Sequence, residues 1–338
     1  MTHSATKPTS KSTSKPTIKP ATKHRQPLGI RVLYGLRKEP DFFAMSPAEL
    51  IAFGQAQNRI VSSPLARLAT GFPHRGASIS WQDVRLPDRT IRVRVYRPVG
   101  ASATLPLVVH VHGGGYVGTA VQCDWINSHV AARVRAVVVS VEHRQMDYDT
   151  PLAAAVDDGW DVYRHVLRHA GEWGIDPGRI ALAGESAGSM VAALSVLRAR
   201  DAGLSLRAQV LVNPCVDLTP TALDYKSMAE YAGTPNLTRE GVDFFRRIAI
   251  PDGTDPRELS PLYADLTGLP PTLFVIPALD PVADHGRAYA ERLRAAGTTV
   301  QVNEFDRAGH AFISLPGLVR QARPARDRIV EFLREQLS

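Results

Sequence analysis

Short apolar runs, most of them bounded by Gly, Pro, Asp or Asn, recur along the chain from residue 78 onward: 79–86, 90–96, 105–111, 136–142, 179–183, 208–213, 272–276 and 300–305. Runs of this length between turn residues predict strands. Segments 107–111, 137–141 and 210–212 are almost continuously apolar, the pattern of strands covered on both faces. Between the runs lie longer stretches that predict helices, at 121–133, 153–169, 189–200, 285–296 and 318–336. Strands alternating with helices predict an α/β protein, with an eight-stranded, mostly parallel sheet and helices on both faces. Two segments break the alternation: 27–75, which contains a helical piece at 46–57, and 216–258, which separates the strands 208–213 and 272–276. A bare sheet needs neither. No repeat of fixed period is present.

The run 179–183 ends on Gly184-Glu185-Ser186-Ala187-Gly188, and a helical stretch follows from Ser189. A serine between two glycines at a strand-to-helix turn is the pattern of a nucleophile elbow. The sharp backbone pushes the hydroxyl toward solvent, and the missing Cβ atoms let neighbouring chain close in. The run 105–111 ends on His112-Gly113-Gly114-Gly115. Consecutive glycines after a strand allow bare amide N–H groups to face a cavity and meet a developing oxyanion. The two strings supply complementary halves of one acyl-transfer site.

At HGGGY (112–116) and GESAG (184–188) the chain resembles the hormone-sensitive-lipase-like family of α/β-hydrolase esterases. The resemblance runs from about Ile30 to the C-terminus, through SPLYADLTGLPP (260–271), LDPVAD (279–284) and AGHAF (308–312). A serine hydroxyl is a weak nucleophile at neutral pH and needs a base and an orienting acid. The resemblance implies Ser186 as nucleophile, His310 after the last strand as base, and Asp280 after the strand 272–276 as acid. It implies Gly113, Gly114 and Ala187 as oxyanion donors, and a helical cap made of 27–75 and 216–258 above the C-terminal strand ends. Asp284 competes with Asp280, its other reading being the N-cap of a helix starting near His285. Glu304 and Asp306 read as surface charge, His112 as a residue that orients the glycine loop, and Glu185 as a local hydrogen-bonding partner or a solvated charge. Tyr116, Trp125, Phe244 and Phe245 are candidates to line the substrate pocket. One departure stands out: many relatives carry an APE-type segment after the strand ending near Glu142, where this chain reads Glu142-His143-Arg144-Gln145-Met146-Asp147-Tyr148-Asp149.

Composition changes this picture little. With 44% apolar residues, 338 residues suffice for one large α/β domain, placed at 27–338. The formal charge of +7 suggests a polyanion partner until it is located: residues 1–38 hold nine Lys or Arg and no acid. Residues 1–26, rich in Lys, Thr, Ser and Pro, predict a disordered basic tail without the apolar core of a secretory signal. No run reaches the length of a membrane span, and two distant cysteines, Cys123 and Cys215, make no disulfide framework or metal motif. A cytoplasmic enzyme without cofactor or metal is therefore expected. Its partner is a small-molecule ester and not nucleic acid, with the choice between monomer and homodimer open. The reading is a serine carboxylesterase for short- to medium-chain acyl esters. A non-catalytic ligand-binding homologue, and an amidase or peptidase with the same triad, are the alternatives.

Overall fold

The computed structural model describes residues 25–35, 40–101 and 104–338. The basic tail expected over 1–26 lies, up to residue 24, outside the described residues; Gln26 is buried, its Nε2 3.5 Å from the Leu279 carbonyl.

Alternating side chains, both sets apolar, build the sheet. Leu107, Val109 and Val111 enter one buried cluster while Val108 enters another, the two-residue period of a strand covered on both faces. The strands of the main sheet are β1 (Ala77–Arg85), β2 (Thr90–Pro98), β3 (Leu105–Val111), β4 (Val137–Val141), β5 (Ile175–Glu185), β6 (Ala208–Val212), β7 (Thr272–Pro277) and β8 (Val300–Phe305). They form one sheet in the order β1-β2-β4-β3-β5-β6-β7-β8. β2 pairs antiparallel with β1 and β4, and the other pairs are parallel.

The longer helices are α1 (Leu28–Gly35), α2 (Pro47–Val61), α3 (Asp124–Val130), α4 (Leu152–Arg168), α5 (Ala187–Asp201), α6 (Arg239–Ala249), α7 (Ala283–Ala295) and α8 (Ala322–Leu337). One face of the sheet buries Val156 and Val162 of α4, Met190 and Val191 of α5 and Tyr289 of α7. The other buries Ile126 and Val130 of α3 and Ile329 and Leu333 of α8. Both expected layers are present.

Several boundaries differ from the sequence reading, three of them for a local reason. β5 starts at Ile175 instead of 179, because Ile175 pairs with Leu105 across an irregular register that spans the turn-like Asp176-Pro177-Gly178. The helix expected at 121–133 is split into a tight turn, Ala120–Cys123, then α3, then a wide turn, Ala131–Arg135. α8 starts at Ala322, which puts Pro324 in the first turn, where its missing N–H costs nothing.

The two segments outside the alternation meet each other. α2 is started by a capping box, with Glu49 N–H donating to Ser46 Oγ while Glu49 accepts from the Ser46 N–H. Phe42, just before it, stacks on Phe244 of α6 at 5.4 Å and lies edge-on to Tyr116 at 5.2 Å. That aromatic cluster rests on the HGGGY loop.

Candidate active site

Ser186 sits between the last residue of β5 and the first of α5, with φ 54° and ψ −120°, a conformation that costs a non-glycine residue energy. The backbone is held there from both sides. Ser186 N–H donates to the Val212 carbonyl at 2.9 Å, and Ser189 Oγ–H lies 2.7 Å from the Gly184 carbonyl and 3.0 Å from that of Val212. A Cβ on Gly188 would run into the Val111 and His112 carbonyls, so only glycine lets α5 approach β3 this closely.

The loops after β7 and β8 bring the other two groups. Leu279 N–H donates to Ala308 O at 3.0 Å, tying the two loops together. Asp280 is fully buried; its Oδ2 lies 2.8 Å from His310 Nδ1 and its Oδ1 accepts the Val282 N–H at 3.0 Å. A carboxylate can only accept, so the ring proton lies on Nδ1 and Nε2 is left as acceptor. His310 Nε2 lies 2.7 Å from Ser186 Oγ. Burial opposes charge on His310, but the Asp280 carboxylate and, behind it, Glu185 outweigh burial and hold its pKa above the usual 6.5.

The HGGG loop passes directly over the serine. A Cβ at Gly113 would lie 3.2 Å from Ser186 Cβ. Gly114 has φ +88°, and a Cβ there would strike the Val117 carbonyl. Ala187 is the first residue of α5, so its N–H has no acceptor within the helix and stands at the positive end of the helix dipole. His112 is buried with a pKa lowered by burial to about 4; neutral, it stacks on His143 at 4.3 Å, and its Nδ1 lies 3.0 Å from the Gly113 carbonyl.

The segment that departs from the APE pattern turns out to clamp this loop. Met146 N–H donates to Gly115 O at 2.7 Å and Gln145 Nε2 to Gly118 O at 2.6 Å. Glu142 accepts from Thr119 Oγ1 at 3.0 Å and from the Ala120 N–H at 2.8 Å. Nothing in the sequence pattern announced this role.

The family described as having the alpha/beta hydrolase fold matches residues 108–314, the span from β3 through the histidine loop. Carboxylesterase NlhH of Mycobacterium tuberculosis is 36% identical to this chain over 75% of it and 84% of the relative. The chain belongs to the hormone-sensitive-lipase-like α/β-hydrolases. An ethyl acetate hydrolase of Pseudomonas putida is 30% identical over 73% of this hydrolase and 79% of the relative. Among solved structures, the thermostable carboxylesterase EstE1 from a metagenomic library aligns with a TM-score of 0.78 at 32% identity, covering 88% of this hydrolase and 99% of that chain.

Within this hydrolase the remaining sequence candidates are separated by the geometry. Asp284 is not the helix cap: it is the second residue of α7, where it accepts the Ser227 N–H at 2.8 Å and pairs with Arg287 at 2.7 Å. Glu304 pairs with Arg287 at the surface. Glu185 is not solvated; it is buried, its Oε2 accepts from Ser314 Oγ at 2.7 Å, and burial raises its pKa. Tyr116 and Phe244 belong to the aromatic cluster over the loop, and Phe245 lies against Gly115. Trp125 lines a cavity in which none of Ser186, Asp280, His310 and the glycine loop takes part. Two contacts went unforeseen: Asn236 Nδ2 donates to the His310 carbonyl at 2.8 Å, and Gln26 packs against Gly309. Both come from irregular segments with no motif. Among the described residues, no group of three or more His, Cys, Asp or Glu is placed to hold a metal, and no helix is long and apolar enough to cross a membrane.

Proposed function

We propose that this protein hydrolyses carboxylic esters of short to medium acyl chain through an acyl-enzyme formed on Ser186. The observation that supports this most is the unbroken run of hydrogen bonds from Ser186 Oγ through His310 to Asp280, at 2.7 and 2.8 Å. His310 Nε2 takes the hydroxyl proton as Oγ attacks the ester carbonyl carbon, and the carbonyl π pair moves onto oxygen. The N–H groups of Gly113, Gly114 and Ala187 receive that oxyanion. Asp280 holds the Nδ1–H tautomer and stabilises the imidazolium. Collapse of the intermediate expels the alkoxide, which takes the Nε2 proton and leaves as alcohol. Water, deprotonated by the same nitrogen, then releases the acid and restores Ser186.

In this reading, α1, α2 and α6 with their connections form the cap that excludes water and bounds the acyl pocket. The ethyl acetate activity in the relative's name supports a small ester as substrate. Buried, unpaired Cys123 and Cys215 suit a reducing, cytoplasmic setting.

A series of p-nitrophenyl esters from acetyl to lauroyl, with one matched anilide, tests the assignment. The highest kcat/KM is expected among the short and medium esters, with the anilide far slower because its leaving group needs fuller protonation. An anilide turned over as fast as its ester would favour the amidase reading, and no turnover at all a receptor.

A further inference from the structure

A cavity of about 690 Å³ opens beside α3 and α8, lined by none of Ser186, Asp280 and His310. Four of its lining residues are Arg67, Arg75, Arg323 and Arg326, and no Asp or Glu lines it. Arg67 and Arg326 lean on acids outside the lining, Asp124 at 3.8 Å and Asp327 at 2.8 Å. Arg75 and Arg323 have no ion-pair partner among the described residues. The floor is apolar and aromatic. Trp125 is 7% exposed and carries the Arg326 guanidinium 5.2 Å from its ring, while Leu68 and Phe72 at the rim are 68% and 62% exposed. A cavity of this size is in the range of small-molecule sites, and exposed apolar side chains beside unpaired guanidinium groups mark a surface made for contact.

His129 on the cavity wall is affected by both burial and the positive charge around it. Burial lowers the His129 pKa to about 4 against its hydrogen bond to the Trp125 carbonyl, and Arg326, His74 and Arg133 push it down further. His74 Nδ1 accepts the Gly76 N–H at 2.9 Å, so that nitrogen carries no proton. The unpaired guanidinium groups of Arg75 and Arg323 would be neutralised by an anion.

We propose that this cavity binds an organic anion, a carboxylate carried on an apolar body, with the carboxylate between Arg75 and Arg323 and the body against Trp125 and Phe72. Guanidinium groups pair with carboxylate oxygens in a bidentate fashion, and the aromatic floor removes an alkyl or aryl body from water. Inorganic phosphate would meet the same guanidinium groups without using the floor, and a neutral alcohol would use the floor alone. Ligand specificity is therefore readable from three probes. The far wall continues from the histidine loop: the turn Phe312–Ser314 leads into Pro316 and Gly317, and Gly317 N–H donates to Ala69 O at 3.0 Å.

The test is calorimetric titration of the Ser186→Ala protein with sodium decanoate, decanol and inorganic phosphate below the micelle concentration. The result is compared with Ser186→Ala carrying Arg75→Ala and Arg323→Ala in addition. Both arginines are exposed, and equal thermal midpoints establish that the comparison is between folded proteins. Decanoate is expected to bind at least tenfold more tightly than decanol or phosphate, and removal of the two arginines to weaken it at least tenfold. Decanoate affinity unchanged by their loss would overturn the proposal, as would phosphate binding equal to decanoate. Binding to phosphatidylglycerol vesicles without binding of monomeric decanoate would also overturn it, in favour of a lipid surface. The comparison does not depend on ester turnover, so its failure and that of the esterase assignment are separate results.

Discussion

The strand-end loops that carry Ser186, Asp280 and His310 differ from the described helical segments 40–75 and 216–258 in how they are held. The loops are fixed by their own backbone: Ser186 N–H to Val212 O at 2.9 Å, Leu279 N–H to Ala308 O at 3.0 Å, Met146 N–H to Gly115 O at 2.7 Å. Side-chain identity matters little to such bonds, apart from the glycines that make room. The helical segments rest more on side-chain packing, Phe42 on Phe244 at 5.4 Å and Tyr116 against Phe244 at 5.4 Å, beside backbone bonds such as Gly317 N–H to Ala69 O at 3.0 Å. They also leave Phe43, Ile51 and Leu65 exposed. In the proposed reading the loops carry the chemistry and the cover bounds the substrate, so the two tasks rest on different parts of the chain.

The sharpest way to break this contrast is at the nucleophile. Ser186→Ala is expected to lower kcat/KM for p-nitrophenyl esters by at least about 10⁴-fold with the unfolding midpoint kept, since the triad acts as a unit; near wild-type turnover would move the chemistry elsewhere. Gly114→Ala comes next. Forced from φ +88° and blocked by the Val117 carbonyl, the loop should lose oxyanion contacts, and about 10²–10³ in kcat is the expected cost. An activity loss below threefold would show that the backbone of this loop is not what receives the oxyanion.

A change in the cover should cost less. Asn236→Ala removes one hydrogen bond to the His310 carbonyl, worth about 1 kcal/mol, so up to about tenfold in kcat/KM is expected. A loss as large as that at Gly114 would make the cover part of the catalytic frame and erase the contrast.

The smallest effect is electrostatic. His310 must be neutral to act as base and its pKa lies above 6.5, so kcat/KM should fall on acidification with a midpoint above 6.5. Glu185 contributes to that elevation, and Glu185→Gln should therefore move the midpoint to lower pH. A midpoint that stays in place or rises would remove Glu185 from the field at the imidazole.

The same contrast explains what could be read from the chain beforehand. The strands and the loop around Ser186 were legible because their constraints are local: a continuous apolar run places Val137–Val141, and the close approach of α5 to β3 leaves its trace as Gly188. The clamp by Gln145 and Met146, the burial of Glu185 against Ser314 and the reach of Asn236 to His310 were not. Each joins residues far apart in sequence through polar side chains or backbone groups that no spacing rule marks. The arginine cavity is the extreme case, assembled from residues 67–75, 125–129 and 316–326.

In the proposed mechanism Ser186 Oγ, activated by His310, becomes the covalent carrier of the acyl group. Intact-protein mass spectrometry after brief exposure to a fluorophosphonate probe tests it most directly, with the adduct mapped by peptide sequencing and His310→Ala run alongside. One adduct per chain is expected, on Ser186, formed rapidly in the native protein and at least about 10³-fold more slowly without the imidazole. A native protein that hydrolyses esters while Ser186 stays unlabelled, or labelling that proceeds equally well in His310→Ala, would contradict it.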